Sequence, residues 1–495
     1  MGGSPDDRVT GFGPLMDEVR LTSVGIDVGS STSHLIISEI TLRRRGEVLS
    51  TRFEVVERAV LYQSDIWLTP YVDGRNLIAA AALREKIDTA YQQAGMDESA
   101  VDTGAVILTG TALLRENALP VVEQLARNSG KFVCATAGHS YEAVLAAHGS
   151  GAVEMSEARQ GQVLSVDIGG GTTKLSLVES GSVVDTLAIA AGARLVAVDA
   201  DDRVTRLEDE AAFFSEVLDG RLAVGSICTA EDRAALGTAM ADEILRVVEL
   251  AAAGGVDSSL GLTWLAGGLP RLEHGIPVVF SGGVSEFMAK DRSARDVGDC
   301  GQFMAQRILS RRDELPGPMV VRPGGIRATV VGAGQYTVQV SGNTIFITDE
   351  STLPLRNIPV AVVNLPPGDV DEPNVGDAIR RAVDLRDLNH NESPIAYFVS
   401  WDGPPSYVNL RAIASGLLNA HTSSPRRDNQ LVVATDADIA RSVGGILHSE
   451  LGLNAECVVV DALTLSSLDF IDIGERSSAS NTVPVVIKSL LVAGD

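Results

Sequence analysis

Apolar and polar positions alternate along the chain in a way that divides it into three stretches. In residues 21–38 (LTSVGIDVGSSTSHLIIS) two β-rich runs flank Gly29-Ser30-Ser31, the pattern of a strand, a tight turn and a second strand, so a β-hairpin is expected. Residues 163–178 (VLSVDIGGGTTKLSLV) repeat the layout: with Asp27 set on Asp167, Gly29 falls on Gly169, Thr32 on Thr172 and Leu35 on Leu175. One hairpin device therefore occurs twice. Between the copies, helical spacing of apolar residues predicts helices over 78–93, 121–129 and 140–148, with short strands over 105–108 and 132–135. After the second copy, 242–253 reads as an Ala-rich helix, and a strand over 277–280 runs straight into Ser281-Gly282-Gly283. The stretch 327–335 (RATVVGAGQ) closes this half, and strands alternating with helices over two similar halves predict a pair of α/β lobes.

Beyond about residue 340 the texture changes. A strand over 343–348, the turn Pro366-Pro367-Gly368 and a polar loop over 389–394 lead into a strand-helix-strand-helix-strand series at 395–400, 409–419, 431–435, 439–451 and 457–461. Short strands over 469–491 end the chain, so this part is expected to be a third, compact α/β domain. The division is a tail over 1–20, a first lobe over 21–160, a second lobe over 161–340 and a C-terminal domain over 341–495.

Composition narrows the function classes. Hydrophobic residues at 45% and charged ones at 21% are enough for full cores and exclude disorder over most of the 495 residues. No apolar run approaches the ~18 residues of a membrane span. The first residues lack the basic start and apolar stretch of a secretory signal, so a cytoplasmic protein is expected. A net charge of −25 argues against nucleic acid as a partner. Cys134, Cys228, Cys300 and Cys457 lie far apart with no CxxC pair and read as buried thiols, and the scattered histidines show no metal spacing.

The glycine turns carry the candidate chemistry. A Gly-rich turn between strands lets backbone N–H groups converge on phosphate oxygens, and the missing Cβ atoms permit close approach. In each copy an Asp sits two residues before the first Gly, where its carboxylate can hold Mg²⁺ directly or through water. Two such hairpins face to face would clamp a nucleotide polyphosphate and its metal, with Asp27 and Asp167 organising Mg²⁺ and the attacking water. As residues in strand-turn segments, the two Asp could instead be Asx-turn formers. Gly29, Ser30, Ser31 and Thr32, with Gly169, Gly170, Gly171, Thr172 and Thr173, are the expected backbone and hydroxyl donors to phosphate. Ser281, Gly282 and Gly283 end a strand in a form that lets backbone lie flat against a base or ribose; the plainer reading is an ordinary β-to-α turn.

The ordered set VGIDVGSST, ILTGTALL, LSVDIGGGTTKL, VVFSGGV and ATVVGAGQ resembles the two phosphate, two connecting and adenosine signatures of the actin, hexokinase and Hsp70 ATPase superfamily. More narrowly, AGHSYEAVLAAHGSGA, RATVVGAGQYTVQVSGNTIFI, LPLRNIPVAV and the terminal DFIDIGERSSASNTVPVVIKSL resemble the EutA family of ethanolamine ammonia-lyase reactivating factors. The resemblance implies two actin-like ATPase lobes of ribonuclease H-like topology, with the C-terminal α/β domain as partner contact or scaffold. It implies a chaperone-like ATPase that uses ATP and Mg²⁺ to release damaged cobalamin from ethanolamine ammonia-lyase and admit intact adenosylcobalamin, handling cobalamin only through that partner. Association with a bacterial microcompartment and assembly as a homodimer are compatible with it. Gly110, Gly149, Gly332 and Gly334 match the connecting segments, where close helix packing would form the hinge, and Gly332 is counted with the nucleotide site.

The chain departs from the superfamily in having no evident match for the Lys and Glu near the cleaved phosphate. Glu142 is a candidate water-positioning carboxylate or simply an acid at a helix start. Lys174 follows the second turn, with strand alternation expected to turn it from the nucleotide. A small-molecule kinase and a polymerising, actin-like structural ATPase are the alternatives within the same superfamily.

Overall fold

The computed structural model describes residues 18–29, 32–44, 53–72, 77–109, 117–118, 120–121, 132–289, 297–322, 325, 331–340, 345–388, 394–422, 430–474 and 483–492. The first hairpin pairs β1 (Glu18–Val28) with β2 (Thr32–Arg44), Val28 standing opposite Ser33. The sheet grows antiparallel on one side with β3 (Phe53–Gln63) and parallel on the other with β4 (Thr103–Thr109) and β5 (Phe132–Ala137), giving the order β3-β2-β1-β4-β5. The second hairpin, β6 (Gln162–Ile168) with β7 (Thr173–Glu179), is built out in the same way. β8 (Ser182–Ile189) and then β9 (Trp264–Gly267) add antiparallel, while β10 (Val278–Ser281) and β11 (Met319–Val321) add parallel beside β6. Its order is β9-β8-β7-β6-β10-β11, so with the edge strand β9 set aside the third, second, first, fourth and fifth strands lie side by side in both lobes.

Helices pack where their apolar stripes demand it. α1 (Ala80–Ala94) buries Leu83, Ile87, Ala90 and Tyr91 on the first sheet. α2 (His139–Gly149) and α3 (Ala152–Arg159) connect the lobes. α4 (Ala230–Ala253) starts at Thr229 with a capping box shared with Asp232 and buries Leu236, Met240, Ile244 and Val247 at four-three spacing. α5 (Ser285–Met288) and α6 (Gly301–Ser310) complete the second lobe.

The C-terminal sheet is assembled from distant segments. β12 (Val331–Val340) runs antiparallel to the final strand β19 (Pro484–Val492), which pairs with β18 (Asp469–Ile473). β18 pairs with the start of β14 (Leu355–Asn364), while residues 360–364 of the same strand pair in parallel with β15 (Ala396–Ser400). β16 (Leu431–Thr435), β17 (Cys457–Val460) and the edge strand β13 (Phe346–Ile347) follow. Alternation along these strands makes two cores. Val363, Tyr397 and Val433 face α7 (Glu372–Leu385), α8 (Tyr407–Thr422) and α9 (Ala440–Gly445), whereas Val360, Phe398 and Val432 face Ile471 and Ile487 of the antiparallel strands. The domain docks on the first lobe: Phe470 and Leu490 pack with Ala105 and Ile107 of β4 and with Tyr141, Val144 and Leu145 of α2.

Three sequence boundaries move. Glu18–Arg20, assigned to the tail, begin β1. Residues 331–340, assigned to the end of the second lobe, join the C-terminal sheet because β19 supplies their hydrogen-bonding partner. The helix expected over 439–451 is α9 followed by a π-helical turn over Ile446–Glu450. Most of the helix expected over 121–129 lies outside the described residues. Among the described residues no helix is long and apolar enough to cross a membrane.

Candidate functional site

Asp27 and Asp167 occupy the same penultimate position of the first strand in each lobe, and each is held by a hydroxyl from the adjacent parallel strand. Thr109 Oγ1 donates to Asp27 Oδ1 at 3.2 Å, and Ser281 Oγ donates to Asp167 Oδ1 at 2.7 Å. Each turn is closed identically: the Gly29 N–H donates to the Thr32 carbonyl and the Gly169 N–H to the Thr172 carbonyl, both at 3.0 Å. The two hairpins face one cavity of about 350 Å³, within the range of small-ligand sites.

Antiparallel register decides what else reaches it. Asp27 lies opposite His34, and Asp167 opposite Lys174, and cross-strand neighbours share a face. Both His34 and Lys174 therefore line the cavity. Lys174 is buried, and its Nζ donates to Glu142 Oε1 at 2.5 Å. Glu142 stands in the first turn of α2; its second oxygen, Oε2, is buried and finds no hydrogen-bond partner among the described residues. Burial pushes the Asp167 carboxyl up to about 6; Lys174 and the Ser281 hydroxyl hold it down, and Glu142 adds to the rise.

Gly282, which follows Ser281 and also lines the cavity, adopts φ 82°, and a Cβ there would sit 2.3 Å from the Ile168 carbonyl oxygen. Only glycine lets the chain turn so close behind β6. Gly283, Glu286, Phe287 and an Arg194–Asp299 ion pair at 2.9 Å line the cavity as well.

Of the residues singled out from the sequence, the structure gathers Asp27, Gly29, Thr32, Glu142, Asp167, Gly169, Gly170, Gly171, Thr172, Gly282 and Gly283 around the cavity. Ser30, Ser31 and Gly110 lie outside the described residues. Five expectations are corrected. The Gly29 and Gly169 amides close their turns, which leaves Gly170 and Gly171 as the glycines whose N–H groups can meet a phosphate. Thr173 gives its hydroxyl to the Ala191 carbonyl at 2.6 Å and lines the sheet, not the cavity. Ser281 is fully buried and acts on Asp167, not on a base. Gly332 belongs to β12, opposite Leu491, as part of a strand and not a helical hinge. Lys174, expected to turn from the nucleotide, lines the cavity instead, and His34, Thr109 and the Arg194–Asp299 pair were missed. For the first two the signal was present: counting outward from each turn pairs 167 with 174 and 27 with 34.

Residues 19–493 match the model of one family, described as ethanolamine utilisation protein EutA. The chain belongs to the EutA family. Among its relatives, the ethanolamine ammonia-lyase reactivase EutA of Salmonella typhimurium is 32% identical over 479 residues, 96% of this chain and 99% of that protein. The protein of the same description from Escherichia coli K12 is 31% identical over 486 residues, 96% of this chain and 99% of its own length. A solved structure of the Aquifex aeolicus PPX-GPPA enzyme aligns over 63% of this chain and 98% of that one, with a TM-score of 0.37 and 13% identity. The EutA resemblance read from the motifs is thus borne out. So is the fold class of two actin-like ATPase lobes and a further C-terminal α/β domain, since both lobes share one ribonuclease H-like strand order.

Proposed function

We propose that this EutA-family chain is an ATP-dependent reactivating factor for ethanolamine ammonia-lyase, promoting release of damaged cobalamin and its exchange for intact adenosylcobalamin. The observation that carries the reading is the pair of matched Asp-Gly hairpins lining one cavity together with the buried Lys174–Glu142 pair. The donor set suits Mg²⁺: among the described residues no cluster of three or more His, Cys, Asp or Glu side chains could hold a metal alone. Mg²⁺ typically takes one or two carboxylates and completes its shell with phosphates and water. Asp27 and Asp167 would hold it, and when bound it supplies charge neutralisation for the phosphates.

The chain's own groups divide the remaining work. The N–H groups of Gly170 and Gly171 and the Thr32 and Thr172 hydroxyls face the phosphates. Glu142 Oε2 holds the attacking water, and Lys174 fixes the Glu142 carboxylate through its other oxygen. Gly282 and Gly283 lie against the adenosine. So few catalytic groups suit slow turnover in a switch whose ATP and ADP states differ in affinity for a partner. The C-terminal domain is the candidate surface for the lyase, with cobalamin handled through that partner, in the cytoplasm or a microcompartment.

The test is to incubate the protein with ethanolamine ammonia-lyase blocked by a cobalamin lacking its adenosyl group, then add ATP, Mg²⁺ and adenosylcobalamin. Recovery of lyase activity that needs all three is expected. No recovery, together with phosphorylation of a small alcohol, would replace this reading with the kinase.

A further inference from the structure

α2 carries Glu142 but lacks a side-chain cap of its own. Its N-cap residue is Gly138, and no side chain from its own segment accepts the first amides. The acceptor comes from the C-terminal domain: Asp387 Oδ2 takes the Tyr141 N–H at 2.5 Å and is hydrogen-bonded by Ser140 as well. A Cβ on Gly138 would lie 2.7 Å from Asp387 Cγ, so the glycine leaves room for the carboxylate. Tyr141 immediately precedes Glu142, whose own N–H donates to the Gly138 carbonyl at 2.9 Å. Asp387 is thus one residue from the group paired with Lys174.

The segment that delivers Asp387 is pinned. α7 ends at Leu385, Arg386 follows as its C-cap, and Asp387 adopts φ 49°, a left-handed conformation that Asp and Asn tolerate better than most residues. The buried Arg386 guanidinium lies 4.3 Å from the Tyr141 ring centroid and 5.1 Å from that of Phe470, and donates to the Ser467 carbonyl. Burial raises the Asp387 carboxyl to about 6, and the Tyr141 and Ser140 hydrogen bonds oppose the rise.

We infer that Asp387 is a positioning residue for Glu142: by capping α2 from the C-terminal domain, it makes the geometry of the nucleotide cleft conditional on that domain being docked. A partner that shifts the C-terminal domain would then alter the Glu142–Lys174 pair without touching the cleft. This role rests on the ATPase reading for its effect on turnover, and the test separates the two.

The full chain is compared with Asp387→Ala, Asp387→Asn and Gly138→Ala, whose added methyl pushes the carboxylate away while leaving it in the protein. In Mg·ATP turnover, Asp387→Ala and Gly138→Ala should lower kcat about tenfold or more, as loss of orientation does, with the KM for ATP nearly unchanged. Asp387→Asn, which keeps a carbonyl acceptor, should restore most of kcat. Combined with Glu142→Gln, Asp387→Ala should cause no further loss. Independently of turnover, hydrogen–deuterium exchange without nucleotide should speed up at 139–142 and also across 173–176, which α2 meets through the Lys174–Glu142 pair and through the Ser176 hydroxyl on the Ala143 carbonyl. Exchange confined to 139–142 and 386–388 overturns the inference, as does an unchanged kcat in Asp387→Ala or an equal loss in Asp387→Asn. A wild-type chain that hydrolyses no ATP would refute the ATPase reading alone, and the exchange pattern would still decide the role of Asp387.

Discussion

Lys174→Met tests whether the cleft is electrostatically built around one cation. The substitution keeps most of the side-chain volume and leaves Glu142, with a side chain 10% exposed, carrying a charge with no counter-ion at hand. Removing one partner of a buried pair costs roughly 3–5 kcal/mol, because the other charge stays desolvated. With a urea slope of about 1–3 kcal/mol per molar, the unfolding midpoint should fall by about 1–5 M. Adding Glu142→Gln removes the stranded charge, so the double variant should recover most of the loss. Urea unfolding of the wild type, both single variants and the double variant closes the cycle. A Lys174→Met midpoint within ~0.3 M of wild type, or a double variant no more stable than Lys174→Met, would refute the argument. The same substitution removes the charge that holds the Asp167 carboxyl down. Mg²⁺-dependent nucleotide binding should therefore weaken as pH falls from 8 to 6, more steeply than in the wild type.

Asp167→Asn should stabilise the nucleotide-free protein while abolishing Mg²⁺-dependent nucleotide binding. The Asp167 carboxyl titrates at about 6 folded against 3.8 ordinarily, so its contribution is fully present below about pH 4 and is lost as pH rises through 6. The Asn variant should gain up to about 3 kcal/mol above pH 6 and nothing below pH 4; a melting temperature at pH 8 no higher than wild type would contradict this. Gly282→Ala puts a methyl against the Ile168 carbonyl in a left-handed backbone, and calorimetry with ADP should show binding weakened at least about tenfold. Thr229→Ala removes the hydroxyl that accepts the Asp232 N–H in the α4 capping box, while the backbone N–H of residue 229 can still donate to Asp232 Oδ2. It should cost about 1 kcal/mol in stability and leave ADP binding unchanged.

The duplicated hairpins were legible because the determinants are local: the turn, the Asp before it and the β-rich flanks all lie within eighteen residues of sequence. Lys174 was misjudged because alternation along one strand says only that neighbours point oppositely; the cross-strand register says that 174 shares a face with 167. The role of Glu142 needed a contact 32 residues away in sequence, and no periodicity encodes that. Residues 331–340 were placed with the wrong unit for the same reason, since their pairing partner is the last strand of the chain. Their Gly-rich motif fits a helical connection equally well until β19 is present. Asp387 is the extreme case, 246 residues from the amide it caps.

Synthesis of the chain has to contend with that long-range closure. The apolar face of β4, with Ala105 and Ile107, leaves the ribosome well before Phe470 and Leu490 exist to cover it. At about 5–20 residues per second the delay is roughly 20–70 s. Throughout it the emerging first lobe carries an uncovered patch, and α2 stays uncapped until Asp387 has been made. Because Phe470 and Leu490 supply the cover, a chain that stops short of both keeps the apolar face of β4 exposed.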